Sequence, residues 1–158
     1  MNRSICITLW AILLTSCSSQ SDVFNAPFIP ESSTVYRIID GDTIEVLLKD
    51  GTEETVRIIG IDTPEYEECY FDEATMYLRK LISDVVIVLQ EQPGDDRDKY
   101  DRLLRYVHID GVDIGLQLLH DGYARNYPWF EHPRAEEYKG VELKAQRVGV
   151  GLWGECDS

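Results

Sequence analysis

Thr34-Val35-Tyr36-Arg37-Ile38-Ile39, Asp40-Gly41-Asp42, Thr43-Ile44-Glu45-Val46-Leu47-Leu48, Lys49-Asp50-Gly51 and Thr55-Val56-Arg57-Ile58-Ile59-Gly60-Ile61 follow one another early in the chain. The first block is rich in β-branched and aromatic residues and reads as a strand, Thr34 to Ile39. The Asp-Gly-Asp step turns the chain. Thr43 to Leu48 is a second strand, with Ile44, Val46 and Leu48 on one face, and Lys49-Asp50-Gly51 is a hairpin signal. Thr55 to Ile61 is a third strand, so the segment predicts a three-stranded meander.

Downstream, Asp72 to Ser83 reads as a helix with Asp72 as N-cap and a stripe of Ala74, Tyr77, Leu78, Leu81 and Ile82. Val85 to Leu89 is a continuous apolar run that suits a buried strand. Gln90 to Asp101 is polar, contains Pro93-Gly94 and reads as a loop. Leu103 to Ile109 is a fifth strand, and Asp110-Gly111 turns. Asp113 can cap a short helix through His120 with Gly122 as its stop, and Arg134 to Arg147 forms a third helix ended by Gly149-Val150-Gly151. Three strands, a helix, two strands and two helices predict an α+β fold, a five-stranded OB-type β-barrel with three α-helices. An open α+β sheet is the structural alternative.

Ahead of this domain lies a different kind of sequence. Arg3 is followed by an apolar run from Ile5 to Leu14, too short to span a bilayer comfortably. Leu14-Thr15-Ser16-Cys17 then resembles a bacterial lipobox, in which cleavage leaves Cys17 N-terminal and lipidated; a plain signal peptide cut near Ser16 or Ser19 is the alternative. The expected organisation is a lipoprotein-type signal peptide over residues 1–16, a flexible tether over 17–32 and a folded domain over 33–156. The expected location is the bacterial cell envelope, lipid-anchored on the periplasmic or outer surface. After Cys17 the domain retains only Cys69 and Cys156, and export makes a disulfide between them available.

The 158 residues carry a net charge of −14, and removing residues 1–16 with Arg3 makes it −15. That acidity argues against tight, sequence-independent nucleic-acid binding, which relies on Lys and Arg against phosphates. Local anion chemistry remains open. Asp40 and Asp42 flank Gly41 and can converge on a cation, although hairpins use Asp and Gly constantly. Asp62 ends the third strand, where the meander brings it near the first turn. Asp62-Thr63-Pro64-Glu65 could be a simple cap, or it could hold Glu65 where it orients or deprotonates a water. Arg57 in an apolar strand and Arg102 after a polar loop could be solvated surface charges. Taken one at a time, that is the better reading of each; the alternative is a guanidinium that forks onto phosphate oxygens. Carboxylates suited to a hard cation, a further carboxylate and two arginines are what metal-dependent phosphoryl transfer needs. Three histidines (His108, His120, His132) lack metal-ligand spacing and receive no role. Tyr127, Trp129 and Phe130 are expected to pack on the barrel rather than stack on a base.

From Val35 to Trp153 the chain resembles the staphylococcal nuclease (thermonuclease) family. The resemblance rests on Ile39-Asp40-Gly41-Asp42-Thr43, Arg57 to Glu65, Asp98 to Arg102, the Asp110-Gly111 turn with its helix, and Gly151-Leu152-Trp153. It implies an OB barrel, Ca²⁺ as cofactor, and cleavage of DNA and RNA to 3′-phosphate products, with no protein partner. By position it implies calcium carboxylates at Asp42 and Asp62, a backbone carbonyl ligand at Thr63 and a general base at Glu65. It also implies phosphorane-stabilising arginines at Arg57 and Arg102, contacts near the nucleotide's 3′ side at Lys99 and Tyr100, and an acidic neighbour of the metal at Asp40. The chain departs from the family in a short stretch after Glu65 and in Asp101 and Leu103, where glycines are common. The competing reading is a non-catalytic OB-fold binding module of the envelope. Such modules typically lose a metal carboxylate or an arginine, and here Asp42, Asp62, Glu65, Arg57 and Arg102 all remain.

Overall fold

The computed structural model describes residues 31–156. Three strands form the expected meander: β1 (Glu31–Ile38), β2 (Thr43–Leu47) and β3 (Glu53–Ile58). β1 pairs antiparallel with β2, aligning Ile38 with Ile44, and β2 pairs antiparallel with β3, aligning Thr43 with Arg57. A two-residue strand, β4 (Ile61–Asp62), and α1 (Phe71–Ile82) follow. β5 (Val86–Gln90) and β6 (Leu103–Ile109) complete the barrel. β5 lies antiparallel to β1 and to β6, and β6 returns parallel to β3, aligning Arg57 with Leu104. The five strands β3-β2-β1-β5-β6 therefore close on themselves, as an OB-type barrel requires. The open-sheet alternative is excluded.

Period-2 alternation in β2 sends Ile44 and Val46 inward, both fully buried, while Glu45 and Leu47 face out. They meet Val56, Ile58, Ile87, Leu89, Leu103 and Val107 in one core. α1 covers this core with Ala74, Leu78 and Ile82, spaced four apart on one helical stripe. β7 (Val112–Asp113) pairs with the end of β6 and leads into α2 (Ile114–His120). There Asp113 caps the helix as the sequence predicts, accepting the Leu116 N–H at 3.1 Å. β8 (Arg125–Asn126), α3 (Ala135–Val148) and a one-turn α4 (Leu152–Glu155) finish the domain.

Several local expectations are corrected. Glu31 and Ser32, assigned to the tether, are already in β1. β3 stops at Ile58, because Gly60 adopts φ 76° and turns the chain. Asp62 thus lies on a separate strand that pairs with β8. Asp72 does not cap α1: Tyr70, in a left-handed conformation, precedes the helix, and Asp72 lies in its first turn, where it favours the helix dipole. Cys69 and Cys156 are joined by a disulfide, with Cα atoms 5.8 Å apart. Cys17 and the signal peptide lie outside the described residues. No helix among the described residues is long and apolar enough to cross a membrane.

Candidate active site

The site grows from the β1–β2 turn. Asp40 Oδ1 accepts the backbone N–H groups of Asp42 (3.0 Å) and Thr43 (2.7 Å), which fixes that turn. Gly41 is required there, since a Cβ would come within 2.8 Å of the Thr63 side chain. That close approach lets Asp42 hold the loop after β4. Its Oδ2 accepts both the N–H (2.9 Å) and the hydroxyl (3.1 Å) of Thr63.

Asp42 Oδ1 accepts the Thr43 hydroxyl (3.0 Å) and pairs with Arg57 Nε (3.1 Å). Arg57 Nη2 pairs with Asp62 Oδ1 at 3.0 Å, and its Nη1 donates to the Ile58 carbonyl at 2.8 Å. One guanidinium thus brackets both expected calcium carboxylates. Arg57 is only 13% exposed at its side chain, so it is not the solvated outward charge its strand position allows.

Arg102 approaches from the other side. Its Nε and Nη2 both lie 2.7 Å from Asp98 Oδ2, and its Nη1 donates to the Thr43 hydroxyl at 3.3 Å. Asp98 also accepts the N–H groups of Tyr100 (2.9 Å) and Arg102 (3.0 Å). Burial alone would push its carboxyl up, but these bonds from Arg102 and Tyr100 outweigh burial and hold it below the ordinary aspartate range. Sequence reasoning assigned no role to Asp98 or Thr43. The signal for Asp98 was present as an Asp two and four residues before the N–H groups it binds; the Thr43 link depends on barrel closure.

Asp40, Asp42, Arg57, Asp62, Asp98 and Arg102 line one cleft of about 630 Å³. Glu65 stands exposed on its edge, its N–H donating to Glu68 Oε2 at 2.9 Å. Lys99 and Tyr100 also line the cleft, and the Lys99 ammonium and the Arg102 guanidinium sit 4.8 and 5.3 Å from the Tyr100 ring centre. Tyr127, Trp129 and Phe130 complete the lining. Phe130 packs against the core as expected, whereas Trp129 is 84% exposed. The packing expectation fails for Trp129 and for Tyr127, which is also exposed; both line the cleft instead of joining the core.

The lining carries six acids (Asp40, Asp42, Asp62, Glu65, Asp95, Asp98) against four bases (Arg57, Arg97, Lys99, Arg102). A polyanion therefore meets an excess of negative charge unless a cation joins it. The carboxyls of Asp40 and Asp62 register the crowding. Burial raises Asp40 first and the Asp42 charge adds to it, while hydrogen bonds from the turn oppose. Burial likewise raises Asp62 first; Arg57 opposes, and Asp42 and Glu65 reinforce.

Among the described residues no three His, Cys, Asp or Glu side chains form a ready metal cage. The donor chemistry nevertheless fits a hard cation. Asp42, Asp62 and the Thr63 carbonyl offer oxygen alone, and added positive charge would relieve the raised carboxyls of Asp62 and neighbouring Asp40.

A closed OB-type barrel with carboxylates and arginines gathered in one cleft defines a class of small α+β proteins built to handle anionic ligands. Residues 55–155 match the family model of staphylococcal nuclease homologues, and the chain belongs to that family. The matched span holds Arg57, Asp62, Thr63, Glu65 and Arg102; Asp40 and Asp42 precede it. The chain is 41% identical over 130 residues to the endonuclease YncB of Bacillus subtilis (strain 168), a match covering 77% of this chain and 61% of that protein. It is 35% identical over 130 residues to the SPbeta prophage-derived endonuclease YokF of the same organism, covering 77% and 44%. It is 32% identical over 133 residues to the thermonuclease of Staphylococcus intermedius, covering 78% and 76%. The chain thus spans less than two thirds of the two Bacillus proteins.

Proposed function

We propose that this protein is a Ca²⁺-dependent nuclease that hydrolyses DNA and RNA phosphodiesters to 3′-phosphate products, exported and lipid-anchored to the cell envelope through Cys17. The observation that carries the activity is the convergence of Asp42, Arg57, Asp62 and Thr63 in one bonded set, with Arg102 and Glu65 lining the same cleft. Family membership supports it, as do the nuclease names of the relatives.

In this reading Asp42, Asp62 and the Thr63 carbonyl hold Ca²⁺, which supplies positive charge against the phosphate oxygens when bound. Glu65 takes the proton of an attacking water. Arg57 and Arg102, which here lie against Asp42, Asp62 and Asp98, present always-charged forks to the phosphate as its negative charge grows. The water oxygen bonds to phosphorus as the bond from phosphorus to the 5′ oxygen breaks; that oxygen leaves, takes a proton from solvent water to become a hydroxyl, and the phosphate stays on the 3′ side. Lys99 and Tyr100 flank the nucleotide on that side.

The test is incubation of the purified full-length protein with plasmid DNA and with RNA, in Ca²⁺ or in EGTA. Cleavage in Ca²⁺ alone is expected; intact nucleic acid after long incubation in Ca²⁺ refutes the reading. Membrane fractionation of wild type and Cys17→Ala tests the anchor: wild type should sediment with membranes, whereas an unchanged distribution for the variant refutes anchoring.

A further inference from the structure

His132 is buried and belongs to none of the groups invoked above. Its Nδ1 lies 2.9 Å from the Tyr106 hydroxyl on β6. The Tyr138 ring on α3 meets it edge-on at 5.0 Å between centroids. Its Nε2 has no hydrogen-bond partner among the described residues and lies against the Gly60 turn: a Cβ on Gly60 would come within 2.5 Å of it. A buried ring nitrogen without a partner calls for an explanation beyond filling space, which an apolar side chain would do at lower cost.

The contact is placed where it matters to the cleft. Gly60 is the positive-φ turn between β3 and β4, so it sets the path from Arg57 to Asp62. Its carbonyl accepts the Tyr127 N–H at 2.9 Å, which joins that turn to the segment carrying Trp129. His132 ends the same segment and returns beneath Gly60. One ring, oriented by the Tyr106 hydroxyl, therefore supports both the carboxylate turn and the aromatic wall.

We propose that His132 is a positioning residue: by holding the Gly60 turn it sets Asp62 against Arg57 and Asp42, and touches neither substrate nor cation. The inference rests on the nuclease reading of the cleft. Groups that act through a ligand rather than on the substrate are worth about 10–100-fold in metal affinity or activity.

The test compares full-length wild type with His132→Leu, His132→Asn and Tyr106→Phe. Ca²⁺ binding is followed by titration calorimetry with the metal alone, kcat and KM are measured on a single-stranded oligonucleotide, and the melting temperature is recorded throughout. His132→Leu should weaken Ca²⁺ binding and lower kcat by about 10–100-fold, measured well below its own melting temperature. His132→Asn, whose amide can still meet the Tyr106 hydroxyl, should recover most of the loss. Tyr106→Phe should move the same quantities in the same direction by less.

A folded His132→Leu with wild-type Ca²⁺ affinity and kcat overturns the proposal. Should His132→Leu not fold, Tyr106→Phe decides: wild-type values there overturn it as well. A wild type that cleaves while these variants match it leaves the nuclease reading standing and removes only the role of His132. A wild type that neither cleaves nor binds Ca²⁺ removes both.

Discussion

Breaking the Cys69–Cys156 bridge gives a perturbation whose size follows from the chain alone. The two residues are 87 positions apart. In the chain-entropy model, closing a loop of that length removes unfolded-state freedom corresponding to about 4–5 kcal/mol at 25 °C. Engineered and native bridges commonly deliver less, because the reduced unfolded chain retains structure. In a domain of this size each kcal/mol moves the melting temperature by about 4 °C. The double variant Cys69→Ser, Cys156→Ser should therefore melt about 10 °C below the oxidised wild type, with about 18 °C as the ceiling. Circular dichroism melts under non-reducing conditions read this directly, and reduced wild type should match the variant. Cys69 sits four residues after Glu65 in turns closed by Glu68 N–H to the Glu65 carbonyl (2.8 Å) and Phe71 N–H to the Glu68 carbonyl (3.3 Å). Amide exchange over residues 65–71 should consequently quicken more than exchange in the barrel strands. A melting temperature within about 3 °C of oxidised wild type would refute the reasoning, since it would mean the bridge constrains almost nothing in the unfolded chain.

Arg57→Lys should lower kcat about 10²–10³-fold, because an ammonium cannot reproduce the fork that meets Asp42 and Asp62 here and phosphate oxygens in the reaction; steady-state kinetics with equal folded fractions checks it. Asp40 and Asp62 are raised above their ordinary 3.8, so each removes stability as pH rises through the window from 3.8 to its folded value, and that penalty persists at neutral pH. Ca²⁺ should therefore raise the melting temperature clearly at pH 7 and progressively less as pH falls into that window, where protonation competes; an equal Ca²⁺ shift at pH 7 and pH 4 would contradict this. Asp101 holds φ 66° beside Arg102, a conformation that suits glycine. Asp101→Gly should thus stabilise by a few tenths up to about 1 kcal/mol in urea unfolding, and a destabilisation would show that its 3.6 Å contact with Arg97 outweighs the backbone.

The barrel was legible because its strands announce themselves locally: Ile44 and Val46 alternate with polar neighbours, and Asp110-Gly111 and Lys49-Asp50-Gly51 punctuate the runs. Asp113 as an N-cap was legible for the same reason, since a cap acts within one turn. What escaped depended on contacts between distant segments. The sequence runs Ile61 on as the end of the third strand and gives no sign of Arg125-Asn126, because a two-residue ladder exists only once its partner arrives. Tyr70 before α1 follows from a bridged loop rather than from helix propensity. At the site, Asp42, Asp62 and Arg57 were candidates by residue type, and their roles came from the family resemblance rather than from spacing. The double engagement of Arg57 and the Asp98 clamp on Arg102 required three-dimensional proximity. Trp129 was misjudged because aromatic character alone does not say which side of a loop faces solvent.

The parallel seam between β3 and β6 also has a bearing on timing. Arg57 sits on β3 opposite Leu104, and Arg102 immediately precedes β6, so the two arginines come together through the barrel pairing that joins the segments before and after α1 and β5. Antiparallel neighbours such as β2 and β3 can pair across a short turn, whereas this seam must close a much longer loop and is expected to form later. The cleft is consequently among the last features to form. A chain still emerging has its meander's sequence in place but not yet the two guanidiniums side by side. The proposed site would then be assembled only on completion of the fold, because its two arginines lie on segments joined by the last long-range pairing.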